Sequence, residues 1–141
     1  MELKECINYL LTNAQNTVHL HFKTQLQPFD ITPAQYMALH FLSNEGSLSP
    51  SKLAELCRLD TSTMTGILTR MEKKGLIERQ HCTNDRRSVD ICITQEGTKL
   101  MPNILPVIDR CNEEALSCLS QEEQRAFKDY LLRILQPEQS L

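Results

Sequence analysis

Residues 53–97 read LAELCRLDTSTMTGILTRMEKKGLIERQHCTNDRRSVDICITQEG, and this stretch decides the fold. Ser49-Pro50, just upstream, joins a capping hydroxyl to a proline suited to the first helical position. A short helix follows through Cys57, with Leu53, Ala54 and Leu56 as its buried side. Leu59-Asp60-Thr61-Ser62 forms a turn with several capping candidates. The spacing predicts a second helix from about Ser62 to Lys74, ended by Gly75. Two helices joined by so short a turn form a helix-turn-helix unit. The period then changes. Leu76 to Gln80 suits a strand, and Val89, Ile91 and Ile93 alternate with Asp90 and Cys92 as a second strand. Thr83-Asn84-Asp85-Arg86-Arg87 joins the two as a polar turn, giving a β-hairpin with a basic tip.

Helices flank this unit on both sides. Leu3, Ile7, Leu10, Leu11, Ala14, Val18, Phe22 and Leu26 recur at helical spacing, which predicts one long helix over residues 2–26 ended by Pro28. A helix of that length has little to bury against in a small domain, so a partner chain is its natural cover. Thr32-Pro33-Ala34-Gln35 is a capping box, and Gly46 closes the helix that it starts. Thr94 caps another helix with Leu100, Met101, Ile104, Leu105, Ile108, Cys111 and Ala115 on its apolar side. Pro102 and Pro106 lie inside it and predict a kink or short break. Ser120-Gln121-Glu122-Glu123 boxes the last helix, whose apolar face is Phe127, Tyr130, Leu131, Ile134 and Leu135. There is no internal repeat.

A helix-turn-helix with an attached hairpin is a winged helix, a mainly α (α+β) class in which one helix enters the DNA major groove and the wing reaches a neighbouring groove or phosphates. The chain also resembles the MarR family of bacterial transcription regulators. Three segments carry the likeness together: T-x-x-x-x-R-M-E-K-K-G-L-I, D-R-R in the hairpin tip, and the closing I-T-x-E-G. The resemblance implies a triangular homodimer on double-stranded DNA with an inverted-repeat site. Residues 1–31 and 98–141 would form the helical dimerisation region, and residues 32–97 the winged helix-turn-helix. It also places Arg87 in the minor groove, held by Asp85, with Arg86 as a phosphate contact. Residue chemistry adds candidates on the second helix of the unit. The hydroxyls of Ser62, Thr63 and Thr65 can reach phosphates or base edges, and Arg70 can reach a phosphate or a guanine edge. Gly66 costs a helix about 1 kcal/mol relative to alanine, a cost that close approach to DNA or to a packed helix would explain. Lys73 and Lys74 read as solvated charges at a helix end. Ile67, Leu68 and Met71 read as core.

Composition fits a soluble, folded protein. Of the 141 residues, 40% are hydrophobic and 23% charged. The net charge of −3 conceals a split: residues 49–92 balance at +2, residues 66–87 at +3, and the chain outside 49–92 at −5. A basic centre between acidic flanks suits one anionic contact surface. No run of apolar residues is long enough to span a membrane. The first residues lack the order of a signal peptide, so a cytoplasmic protein is expected. The six cysteines (Cys6, Cys57, Cys82, Cys92, Cys111 and Cys118) form no C-x-x-C pair and read as reduced thiols. Cys111 and Cys118, seven apart, read as core on one helix face. His19 and His21 face different ways on a helix, and no HExxH motif or phosphate loop exists, so no metal, cofactor or catalytic residue is expected.

The favoured function is a sequence-specific repressor released by a small ligand. The resemblance implies a small aromatic or phenolic acid held between the dimer base and the winged helix, with Tyr36 and His40 as candidates to face it. Two alternatives stand beside it. One is a thiol redox sensor using Cys6. The other is a winged helix serving only protein–protein assembly, which would have no need of Arg70, Asp85 and Arg87.

Overall fold

The computed structural model describes residues 1–82 and 85–136, and side chains over the same span except at 82 and 85–87. A 3-10 turn at Leu3–Glu5 precedes α1 (Ile7–Leu26), so the first helix starts later than the apolar spacing suggests. A second 3-10 turn, Gln27–Phe29, contains Pro28 and leads to α2 (Pro33–Glu45). Then come β1 (Ser47–Leu48), α3 (Pro50–Cys57), α4 (Thr61–Lys73), β2 (Ile77–Cys82), β3 (Asp85–Ile93), α5 (Gln95–Ala115) and α6 (Gln121–Ile134).

The caps act as the sequence requires. At α2 and α6, Thr32 and Ser120 each accept from the backbone N–H three residues on, while Gln35 and Glu123 accept from the cap N–H in return. Helix α4 starts one residue earlier than expected, because Asp60 is its cap and not one of the hydroxyl residues after it. Of the kink or short break expected in α5, the break does not occur: the helix runs unbroken through Pro102 and Pro106. Each proline removes one intrahelical donor. Both are exposed, so the freed carbonyls face water, while Ile104, Val107, Ile108 and Cys111 hold the opposite side in the core. Cys118 is a correction too. The helix ends at Ala115, the seven-residue spacing no longer follows a helix face, and Cys118 is exposed whereas Cys111 is fully buried.

The sheet is antiparallel with order β1-β3-β2. Ile77 pairs with Ile93 and His81 with Val89. The two-residue β1, which the sequence does not announce, sets Ser47 opposite Cys92 and Leu48 opposite Ile91. It covers one edge of the hairpin base and joins α2 to it. One core unites the elements: Leu39 and Leu42 of α2, Leu53 of α3, Met64, Leu68 and Met71 of α4, Ile91 of β3 and Ile104 of α5 are all fully buried.

The end of α4 is built as a Schellman motif. Leu76 N–H donates to Met71 O at 3.0 Å and Gly75 N–H to Glu72 O at 3.0 Å. Gly75 takes φ +74°, which favours glycine. The start of α5 then docks on the same loop. The Thr94 hydroxyl donates to Gly75 O at 2.6 Å and accepts from Gly97 N–H at 3.1 Å, and Thr94 N–H donates to Leu76 O at 3.1 Å. A Cβ at Gly97 would stand 2.4 Å from Leu76 O and 2.7 Å from the Ile93 side chain.

The two glycines therefore respond oppositely to the same substitution. A Cβ at Gly66 meets nothing within 4 Å. In urea melts, Gly97→Ala should lose about 2 kcal/mol or more through overpacking against fixed backbone. Gly66→Ala should gain up to about 1 kcal/mol, the propensity of alanine in a helix interior. Equal, small changes at both positions would contradict the docking of α5 on the α4 loop.

Candidate nucleic-acid interface

Helix α4 divides cleanly. Met64, Ile67, Leu68 and Met71 are buried, while Thr61, Ser62, Thr63, Thr65, Thr69, Arg70 and Lys73 are exposed on the outer side. Ser62, Thr65, Gly66, Thr69, Arg70 and Lys73 thus follow the helical period as one outward stripe, with Gly66 half-buried at its middle. Because the Gly66 Cβ direction is open, no neighbouring helix of this chain requires glycine there; the absent side chain leaves the stripe low where another molecule can approach.

The start of the stripe is organised by Asp60. Its Oδ1 accepts from Thr63 N–H at 2.7 Å and from the Ser62 hydroxyl at 2.9 Å. The Thr63 amide first, then the Thr63 and Ser62 hydroxyls, hold the Asp60 carboxyl below its ordinary range. The Thr65 hydroxyl donates to Thr61 O and the Thr69 hydroxyl to Thr65 O, each at 2.9 Å. These hydroxyl hydrogens are occupied, so the oxygens face outward as acceptors, suited to amino groups on base edges or to donation after rotation.

The cations of this region serve different ends. Arg70 and Lys73 have no carboxylate partner among the described residues. Arg79 on β2 pairs with Glu72 on α4 at 3.5 Å and ties the hairpin to the helix. Lys74 is a surface residue at the helix end, as the sequence suggests, but its ammonium is also a tie, reaching Asp30 O at 2.5 Å and Gln35 Oε1 at 3.1 Å. That role is invisible in sequence because Asp30 lies 44 residues away. The side chains of Asp85, Arg86 and Arg87 lie outside the described residues; their backbone belongs to β3, which makes the hairpin strand longer than expected.

Behind this face lies a cavity of about 390 Å³ between α1, α2 and the α3–α4 turn. Val18, Phe22, Met37 and Leu59 give it apolar walls, and His19 and Tyr36 give it polar ones. Burial, with the charge of Asp109 on α5 behind it, pushes the Tyr36 hydroxyl up, so it remains a neutral phenol at physiological pH. His40 is not in the lining. Its ring packs against Tyr36 at 5.9 Å and against Phe41 at 6.0 Å.

Among the described cysteines, burial raises the thiols of Cys57, Cys92 and Cys111, which lowers their thiolate content and reactivity. Cys6 is half-buried at the N-cap of α1, and all five described cysteines are free. No described helix is long and apolar enough to cross a membrane.

The MarR family profile matches residues 31–89. Over 96% of its length the chain is 32% identical to the transcriptional regulator FarR of Neisseria gonorrhoeae, spanning 92% of that protein. It is also 32% identical to the organic hydroperoxide resistance transcriptional regulator of Bacillus subtilis, over 96% of this chain and 91% of that one. The structure superposes on MepR of S. aureus in its DNA complex with TM-score 0.83 and 26% identity, covering 92% of this chain and 96% of that one.

The Asp60 cap gives the interface a pH dependence with a definite sign. A carboxylate depressed in the folded state contributes stability above its ordinary pKa and loses it as pH falls through the depressed value. Acidification from about pH 5 to about pH 3 should therefore lower the melting temperature of the wild type more steeply than that of Asp60→Asn, which keeps a cap oxygen but does not titrate. Parallel melting curves would contradict the cap.

Proposed function

The chain belongs to the MarR family, and from that premise we propose that this DNA-binding transcription regulator is a homodimeric repressor that a small aromatic or phenolic acid releases from an inverted-repeat site. The observation that carries the reading is the outward stripe of α4, an uncovered surface of hydroxyls and arginine mounted on a fully buried inner side. One such helix per chain, doubled by a two-fold axis, meets two half-sites about 10 base pairs apart.

The dimer follows from what a single chain leaves uncovered. No residue of α6 is buried, although Phe127, Tyr130, Ile134 and Leu135 are apolar or aromatic and exposed. Leu3, Ile7, Leu10 and Leu11 near the start of the chain are equally uncovered. Between α1, α5 and α6 runs a groove lined by Leu11, Ala14, Val18, Phe127 and Leu131. Apolar surface on that scale marks a protein interface. Residues 1–31 and 98–141 are accordingly assigned to dimerisation and residues 32–97 to the winged helix-turn-helix.

Ser62, Thr63, Thr65, Gly66 and Arg70 are assigned to the major groove. Asp85, Arg86 and Arg87 are assigned to the wing contact on the family motif. The cavity beside Tyr36 suits a small acid with an aromatic ring, since its walls are apolar and His19 and Tyr36 offer hydrogen bonds. It abuts Leu59 in the turn that launches α4, so an occupant acts directly on the position of the DNA-reading helix. A second reading draws on the hydroperoxide-resistance relative and makes Cys6 the sensor. Peroxide that releases DNA from the wild type but not from Cys6→Ser would favour it over the acid.

Light scattering should give a mass twice the 16.2 kDa of the chain. On a duplex selected from a random pool, Arg87→Ala should weaken binding by about tenfold or more, roughly 1.4 kcal/mol. Asp85→Ala should reproduce part of that loss, and Lys73→Ala should do much less. Each lost phosphate contact should lower the salt slope by about one. A stable monomer that binds DNA unpaired would overturn the dimer, and equal small losses at Arg87 and Lys73 would overturn the wing contact.

A further inference from the structure

Lys74, the residue that closes α4, lies at the surface but spends its charge on bonds within its own chain. Its ammonium lies 2.5 Å from Asp30 O, 3.1 Å from Gln35 Oε1 and 3.4 Å from Asp30 Oδ1. An ammonium has three N–H donors, and three acceptors surround this one. Two of the acceptors, Gln35 Oε1 and Asp30 O, are themselves fixed. Gln35 is the one polar residue among the buried described residues, at 3% exposure, and its Oε1 also accepts from Thr32 N–H at 3.1 Å. Asp30 is held at φ +55°, an uncommon conformation for a residue other than glycine. The amide that caps α2 and the carbonyl of the strained residue before it therefore meet on one cation supplied by α4.

The position of this junction gives it a role. Helix α4 contacts α2 through apolar side chains, which slide more readily than hydrogen bonds with fixed direction. Lys74 adds directional bonds at the end of α4 opposite the Asp60 cap. Pro33, Ala34, Tyr36 and Met37, on the turn of α2 that Gln35 belongs to, line the cavity behind the interface. We propose that Lys74 and Gln35 form a positioning pair for DNA recognition: they set the tilt of α4 against the α1–α2 connection and touch no nucleic acid. This rests on the DNA-binding reading above. It separates two neighbouring lysines of one sequence run, with Lys73 facing solvent and Lys74 tied to its own chain.

Salt dependence of binding separates positioning from contact, because only a phosphate contact releases counterions. The probe is a duplex selected from a random pool by the wild-type protein, and binding is titrated well below each variant's melting temperature. Lys74→Met should weaken binding about tenfold while keeping the wild-type salt slope. Gln35→Leu should weaken it similarly, and the double variant should lose no more than the weaker-binding single variant, as expected of residues acting as a unit. Gln35→Glu, which keeps the cap and offers Lys74 a full carboxylate, should fold and bind like wild type; it decides the matter even if Lys74→Met does not fold. A salt slope lowered by about one in Lys74→Met, additive losses in the double variant, or weakened binding in Gln35→Glu would each overturn the pair and make Lys74 a phosphate contact or a bystander. Failure of the wild type itself to select a duplex would instead overturn the DNA-binding reading.

Discussion

The carbonyls of Gly75 and Leu76 are the point through which α4, the sheet and α5 are joined. Gly75 O receives the Thr94 hydroxyl and Leu76 O receives the Thr94 amide, while Gly97 lets the first turn of α5 lie against both. Helix α5 runs from this contact back toward α1, where His21 Nε2 sits 2.7 Å from Glu114 Oε2. The same glycine loop that stops α4 therefore orients it relative to the helices assigned to dimerisation. The K-K-G-L-I and I-T-x-E-G segments, about 20 residues apart in the chain, are two halves of one junction.

Charge follows the same logic. The basic balance of residues 66–87 suggests one surface for contacting an anion, but its members divide. Lys74 anchors α4 to the α1–α2 connection, and Arg79 anchors the hairpin to α4 through Glu72. Arg70 and Lys73 are left outward. Counting cations along the sequence overstates the charge offered to DNA, because ties within the chain draw on the same lysines and arginines.

What was legible in the sequence was local. The capping boxes at Thr32 and Ser120, the proline starts at Pro33 and Pro50 and the glycine stop at Gly75 depend on neighbours within a few residues, and each occurs as read. The inner side of α4 was legible from its period. What was not legible depends on distant partners. Strand β1 exists only because Ser47 and Leu48 meet Cys92 and Ile91. The cap of α4 is a local exception: Asp60 is one of several candidates in its turn, and it takes the cap because its carboxylate reaches two donors at once. The prolines of α5 failed to break it because tertiary packing on the opposite face outweighs two lost hydrogen bonds. The sequence offers Tyr36 and His40 equally as residues facing a pocket; only Tyr36 lines the cavity, and His40, one helical turn on, packs against it.

Everything proposed for this protein turns on whether the outer stripe of α4 enters DNA, once per protomer, in a two-fold arrangement. A photo-crosslinking amino acid at position 65, in the middle of that stripe and pointing away from the core, tests it most directly. On a selected duplex, crosslinks should form to major-groove bases in two symmetric half-sites about 10 base pairs apart. Crosslinks to a single site, to protein alone, or to none would contradict it.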